Sequence, residues 1–279
     1  MRVDLCGVRG STPAPGREFE EFGGHTSCVA LTHDGADVPT LLLDAGTGIR
    51  AATALLDGGP FRGTLLLTHL HWDHMQGLPF FRGGDRPDSE VSVHIPEQED
   101  GSGPLQTLDR AMSPPFFPIS GDQLRGSWSF QDYQPGEYEH EGFHVLAREV
   151  PHKGGRTYGL RISSGDAVLT YMPDHCPTAL GLGPDGWGEY HDAALELARD
   201  SDLLLHDAQL LSSELPAEAM TGHACGQYAQ ELARRAGARA VLLFHHRPER
   251  TDAELHELAA QFHGEPAVAM ARQGSTLRL

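Results

Sequence analysis

The stretch THLHWDHMQG, Thr68 to Gly77, crowds His69, His71, Asp73 and His74 into six positions directly after the apolar run Thr64-Leu65-Leu66-Leu67. Imidazole and carboxylate together are a ligand set for zinc and related divalent ions. Side chains two apart on extended backbone point the same way, so His69 and His71 can address one ion from the end of a strand. Asp73 and His74 then turn with the start of a helix and can address a second. A lone His-x-His pair is equally explained by two rings on a solvated face. The full His-x-His-x-Asp-His is not, because crowding these groups without a metal costs desolvation with no return.

Such a site needs a scaffold that brings more donors to the same place. Short runs rich in Val, Leu and Ile alternate with amphipathic stretches, the pattern of layered α/β architecture. Strands are predicted at Val3–Cys6, Ser27–Thr32, Thr40–Asp44, Thr64–Thr68, Val91–Ile95, His144–Val150, Thr157–Ser163, Ala167–Tyr171, Leu203–His206 and Ala240–Phe244. Helices are predicted at Gly48–Leu56, Asp73–Phe81, Tyr190–Arg199, Ala224–Ala236 and Asp252–Phe262. Thr157–Ser163 and Ala167–Tyr171 read as a hairpin across Ser164-Gly165-Asp166, which argues against a purely parallel sheet. From 97 to 142 the periodicity fades into GSG, SPPFFP and QPGEYEHEG, an insertion or lid within a single domain spanning 1–279. There Phe116 and Phe117, framed by prolines, fit a cover over the site, a subunit contact in a homodimer, or core packing.

Composition narrows the setting. Of 279 residues, 39% are apolar, and no apolar run approaches the length of a bilayer span. The N-terminus MRVDLCGVRG lacks the apolar core of a secretory signal, so a cytoplasmic protein is expected. Cys6, Cys28, Cys176 and Cys225 form no CxxC pair, which suggests buried free thiols. Lys and Arg number 21 against 39 Asp and Glu, and the net charge of -18 disfavours nucleic acid as a partner. The 17 histidines are the anomaly.

THLHWDHMQGLPFF resembles the metallo-β-lactamase superfamily, in the branch of bacterial phosphodiesterases and the phosphonate-pathway cyclic phosphodiesterase, near the transfer-RNA 3′-processing nucleases. The resemblance extends through CGVRGSTPAPG, GGHTSC, LLLDAGTG and LLFHHRPERTD. It implies a four-layer αββα sandwich with a dinuclear site at one edge of two sheets. Carried over position by position, His69, His71 and His152 would hold one metal and Asp73, His74 and His245 the other, with Asp174 between them. His246, beside His245, is the alternative for the last ligand. Asp207 would orient His223, and His223 would protonate the departing alkoxide; a helix cap at His223 and a structural Asp207 are the plain alternatives. His206 alternates to the other face and reads as packing. The sequence departs from the pattern at His25, where relatives carry Asn, and at Ala224 and Cys225, and it lacks the long arm with which the transfer-RNA nucleases grip substrate.

The implied cofactors are two divalent ions, zinc, with manganese or iron as alternatives. The implied reaction is hydrolysis of a small or cyclic nucleotide-type phosphodiester by a metal-bridging hydroxide. Two carboxylates and that hydroxide would leave about one positive charge on the centre, attractive to a small anionic diester. Hydrolysis of another ester or lactone on the same site, and a diiron redox sensor, are the competing functions.

Overall fold

The computed structural model describes residues 1–279. The chain forms two mixed sheets packed face to face with helices on both outer sides. β1 (Arg2–Gly7), β2 (Cys28–Thr32), β3 (Leu41–Leu43), β4 (Arg62–Leu66), β5 (Glu90–Pro96) and β6 (Ser127–Tyr133) lie side by side in chain order. The second sheet holds β7 (Gly136–His140), β8 (Phe143–Glu149), β9 (Tyr158–Ser164), β10 (Ala167–Met172), β11 (Leu203–Asp207), β12 (Ala240–Phe244) and β13 (Ala267–Met270), again in order. β14 (Thr276–Arg278) returns to pair antiparallel with β1.

Period-two alternation sorts the side chains into layers. Leu41 and Leu43 face the other sheet, where they meet Val145, Leu160 and Leu205, while Leu42 between them points outward. The outer face of the first sheet is covered by α1 (Ile49–Ala52), α2 (Trp72–Met75) and α3 (Pro104–Asp109). The second is covered chiefly by α4 (Asp192–Ala198), α6 (Gly226–Ala236) and α7 (Asp252–Ala259), with the short α5 (Leu215–Glu218) between β11 and α6. On α6, Tyr228, Ala229, Leu232, Ala233 and Ala236 form the buried stripe expected from their spacing, and Gly237 ends the helix with φ of 77°.

The predicted helix Asp73–Phe81 is broken into α2 and a 3₁₀ turn at Leu78–Phe80. Gly77 explains the break: a Cβ there would lie 2.1 Å from the carbonyl oxygen of Gly46, so this backbone is pressed against the loop after β3. Within 97–142 there is more regular structure than the faded periodicity suggests, since β6 and β7 each pair along a sheet edge. Both are mostly exposed on one face, so neither carries the dense apolar signal of an inner strand.

β10, β11 and β12 are parallel, and β8 runs the same way because it is antiparallel to β9, which is antiparallel to β10. Their C-terminal ends therefore meet at one edge. The buried Arg9 fastens loops there, donating to the carbonyl oxygens of Gly23, Arg247 and Arg250.

Candidate metal centre

Most of the predicted residues lie at or just beyond a strand end. β4 leads to His69 and His71, β8 to His152, β10 to Asp174, β11 ends on Asp207, and β12 leads to His245. α2 supplies Asp73 and His74, both buried. His69, His71, His152 and Asp174 form one group whose donor atoms all lie within 4.8 Å of one another, and Asp73, His74 and His245 form another.

Asp174 joins the two groups. Its Oδ1 lies 3.4 Å from His152 Nε2 and 3.9 Å from His69 Nε2. Its Oδ2 lies 2.8 Å from His74 Nε2 and 3.3 Å from His245 Nε2. Asp73 Oδ2 is 3.0 Å from His245 Nε2. His246 is turned away, with Nε2 donating to the carbonyl oxygen of Ala271 at 2.7 Å, so the geometry brings His245 rather than His246 to the cluster. His245 has φ of 60°, which aims its ring inward; such a backbone costs on the order of 1 kcal/mol or more and persists only where its surroundings hold it. Gly10 is part of that hold, since a Cβ there would sit 2.4 Å from His245 Nδ1.

The donor set fits divalent cations. His152 Nδ1 meets the carbonyl oxygen of Gly222 at 2.7 Å and must donate to it, which leaves Nε2 a lone pair facing His71 Nδ1 at 3.3 Å. His69 Nε2 is buried without a hydrogen-bond partner, the condition a bound cation relieves. Burial, reinforced by neighbouring imidazoles, pushes His69, His71 and His152 below the usual histidine range, so these three present lone pairs. On the other side, burial of His74 is outweighed by Asp174, Asp73 and Asp44, and its ring is held well above that range. Asp174 is driven well below the carboxylate range because His245, His74, His69 and His152 outweigh its burial.

His223 stands beside this cluster. Its Nδ1 is 3.0 Å from Asp207 Oδ2 and 3.6 Å from Asp174 Oδ1. Burial opposes its charge, but Asp207 and then Asp174 raise the ring to about 9. Asp207 also accepts from the backbone amides of His175, Gln209 and Ala224. At Ala224 it is the backbone amide that meets Asp207, while the methyl group is buried in the core. His223 does not cap α6, whose N-cap is Cys225. Asp207 and His223 also fall within 4.8 Å of Asp174 and His245, so they border the second group of donors.

Three features escape the sequence reading. Asp44 sits fully buried with φ of 59°, accepting from His74 Nδ1 at 2.8 Å, Tyr171 Oη at 2.9 Å and the Thr68 amide at 2.7 Å. It fixes the His74 tautomer so that Nε2 faces the cluster. An aspartate closing the all-apolar run LLLD was the available signal. Ser11 donates its amide to Asp73 Oδ2 at 2.6 Å. His206 is packed as expected, but within a histidine chain, His206 Nε2 to His175 Nδ1 at 3.0 Å and His175 Nε2 to His191 Nε2 at 2.8 Å.

Two sheets between helices, with histidines and aspartates converging at the strand ends, define a metal-dependent hydrolase of β-lactamase type. A β-lactamase superfamily domain model matches residues 40–246, and the chain belongs to that superfamily. It is 24% identical to ribonuclease Z of Geobacillus kaustophilus, covering 99% of this chain and 94% of the relative. Ribonuclease Z of Haloarcula marismortui is 25% identical over 88% of this chain and 86% of its own. Among solved structures, a diphosphatase from the PhnP family superimposes with TM-score 0.71 at 17% identity, covering 100% of this chain and 97% of the other. Human tRNase Z, short form, gives 0.62 at 20% identity, covering 100% and 99%. These structural likenesses establish the fold.

Proposed function

We propose that this protein is a metal-dependent phosphodiesterase acting on a nucleotide-type diester. The observation that carries the reading is Asp174, whose two oxygens face two separate donor groups. His69, His71 and His152 would hold one divalent ion, Asp73, His74 and His245 the other, and Asp174 both. Imidazole-rich groups with two carboxylates favour zinc over a diiron redox pair, with manganese or iron as substitutes. Bound there, two such ions would supply Lewis acidity toward the phosphate oxygens and a nucleophile from water at neutral pH.

The chain's own residues do the rest. His223 Nδ1–H donates a hydrogen bond to Asp207 Oδ2, leaving Nε2 to carry a proton to the leaving oxygen. Asp207, held by three amides, keeps that ring oriented. The relatives named ribonuclease Z support a phosphate diester over a lactone. The net charge of -18 favours a small diester, while the same relatives bring an RNA end within the reading. All four cysteines are free and buried, which suits a reducing cytoplasm, and no helix is long and apolar enough to cross a membrane.

The test is a screen of zinc- and manganese-loaded protein on a phosphodiester, a phosphomonoester and a lactone. The diester should turn over fastest by a wide margin. A lactone turned over faster than the diester would replace this reading with the competing one.

A further inference from the structure

The helix that carries Asp73 and His74 has a second face that the metal centre does not use. Trp72, between the donors His71 and Asp73, is 73% exposed. Phe80 and Phe116 are 54% and 79% exposed, and all three border one cleft of about 470 Å³ between α2 and the segment after α3. They are the aromatic members of the large apolar side chains that the molecule leaves exposed; the others are Leu180, Leu182 and Met220. An aromatic surface of this kind next to a reaction centre calls for an occupant.

The charge beside the cleft says which. A second depression of about 560 Å³ shares Gln76, Pro79 and Phe80 with the first and is bordered by Arg50 and Arg82. Both arginines are exposed. Their neighbours are neutralised, Arg86 by Asp88, Arg110 by Asp100 and Arg125 by Asp85, whereas Arg50 and Arg82 form no ion pair. Asp85 is the acid of this depression and is committed to Arg125. The aromatic cleft itself has no acidic residue on its wall, in a chain with 39 Asp and Glu. Flat apolar rings beside two unpaired guanidiniums match a ligand that alternates flat rings with single negative charges. A nucleotide chain has that chemistry, because any base can stack on an aromatic face while its phosphate meets a cation.

We propose that the outer face of α2 is a nucleotide subsite, with Trp72, Phe80 and Phe116 receiving a base and Arg50 and Arg82 the phosphate of the nucleotide next to the scissile diester. The inference rests on the phosphodiesterase reading and sharpens it: the substrate is the end of a single strand at least two nucleotides long. Continuity with the centre supports this, since Trp72 on the cleft wall is bonded in sequence to the donors His71 and Asp73. The acidic remainder of the surface confines the contact to a short single strand.

Binding without turnover tests the subsite separately from the reaction. The probe is a fluorescein-labelled tetrathymidylate with phosphorothioate linkages, which resist hydrolysis, titrated against the protein as purified by fluorescence anisotropy, with thymidine monophosphate as competitor. The tetranucleotide should bind more tightly than the monophosphate. Arg50→Gln combined with Arg82→Gln should weaken it at least tenfold and flatten the dependence of log K on log salt by about 0.7, the value for one phosphate neutralised on a single strand. Phe116→Ser should weaken it about 5- to 150-fold, the range of one lost base stack. Circular dichroism checks that these exposed changes leave the fold intact. Affinity and salt slope unchanged in the arginine pair would overturn the proposal, as would a tetranucleotide bound no better than the monophosphate. A change in mass by light scattering in Phe116→Ser, with affinity unchanged, would overturn it too and assign the aromatic surface to a subunit contact. Diester turnover in the screen with no tetranucleotide binding here would leave the phosphodiesterase reading standing and remove the subsite alone.

Discussion

On the inner side of α2, Asp73 and His74 are buried, and each meets several partners: His74 faces Asp44, Asp174 and Asp73, while Asp73 takes His245 and the Ser11 amide. One residue away, on the outer side, Trp72 is 73% exposed. The inner face is over-determined, so its geometry is set before any ligand arrives. The outer face is held more loosely, with Phe80 edge-on to Phe117 and Trp72 and Phe116 mostly exposed. Changes on the inner side should therefore alter metal content and chemistry together or selectively, while changes on the outer side should alter recognition and leave metal and fold alone.

The largest selective effect is expected at His223. A proton from its ring matters when the leaving oxygen would depart as a basic alkoxide and little when it departs as nitrophenolate. His223→Ala should lose about 10²–10⁴ more activity on a nucleoside-type diester than on bis(p-nitrophenyl) phosphate, with metal content unchanged. Equal losses on both substrates, or loss of metal, would make His223 a ligand or a structural residue. Asp207→Asn should show the same selectivity more weakly, because the ring stays but its proton is held less firmly.

Next in size is Asp44→Asn, which replaces an acceptor at His74 Nδ1 with a group that can donate. Metal affinity should fall by roughly 10- to 100-fold in a chelator competition, with the far-ultraviolet spectrum preserved. Unaltered affinity would mean that the His74 tautomer is fixed by something else. The smallest effect is expected on the outer face. Trp72→Ala should keep full metal content and shift the thermal midpoint little, since an exposed ring loses few contacts on truncation. A loss of metal comparable to that of Asp44→Asn would erase the distinction between the two faces.

The core of this fold is readable because inner strands such as Leu41–Leu43, and the Leu203-Leu204-Leu205 stretch that opens β11, are apolar on both faces and announce themselves as runs. The strands that go unread, β6, β7, β13 and β14, lie at or next to sheet edges and keep exposed residues along their length, so no apolar run marks them. The candidate donors are readable in the sequence because His69, Asp174 and His245 follow such runs, and parallel strands deliver those ends to one edge. Asp44 was less so, since at the end of LLLD a buried acceptor and a turn aspartate look alike. The outer cleft is assembled from Arg50, Trp72, Phe80, Arg82 and Phe116, whose nearness is created by the packing of α1, α2 and the segment after α3. No local spacing encodes it.

The account stands on one shared carboxylate, and metal stoichiometry addresses it most directly. Elemental analysis of the purified protein should give two divalent ions per chain, and Asp174→Ala, with secondary structure intact, should retain one or none. Two ions retained in Asp174→Ala, or a single ion in the unaltered protein, would contradict it.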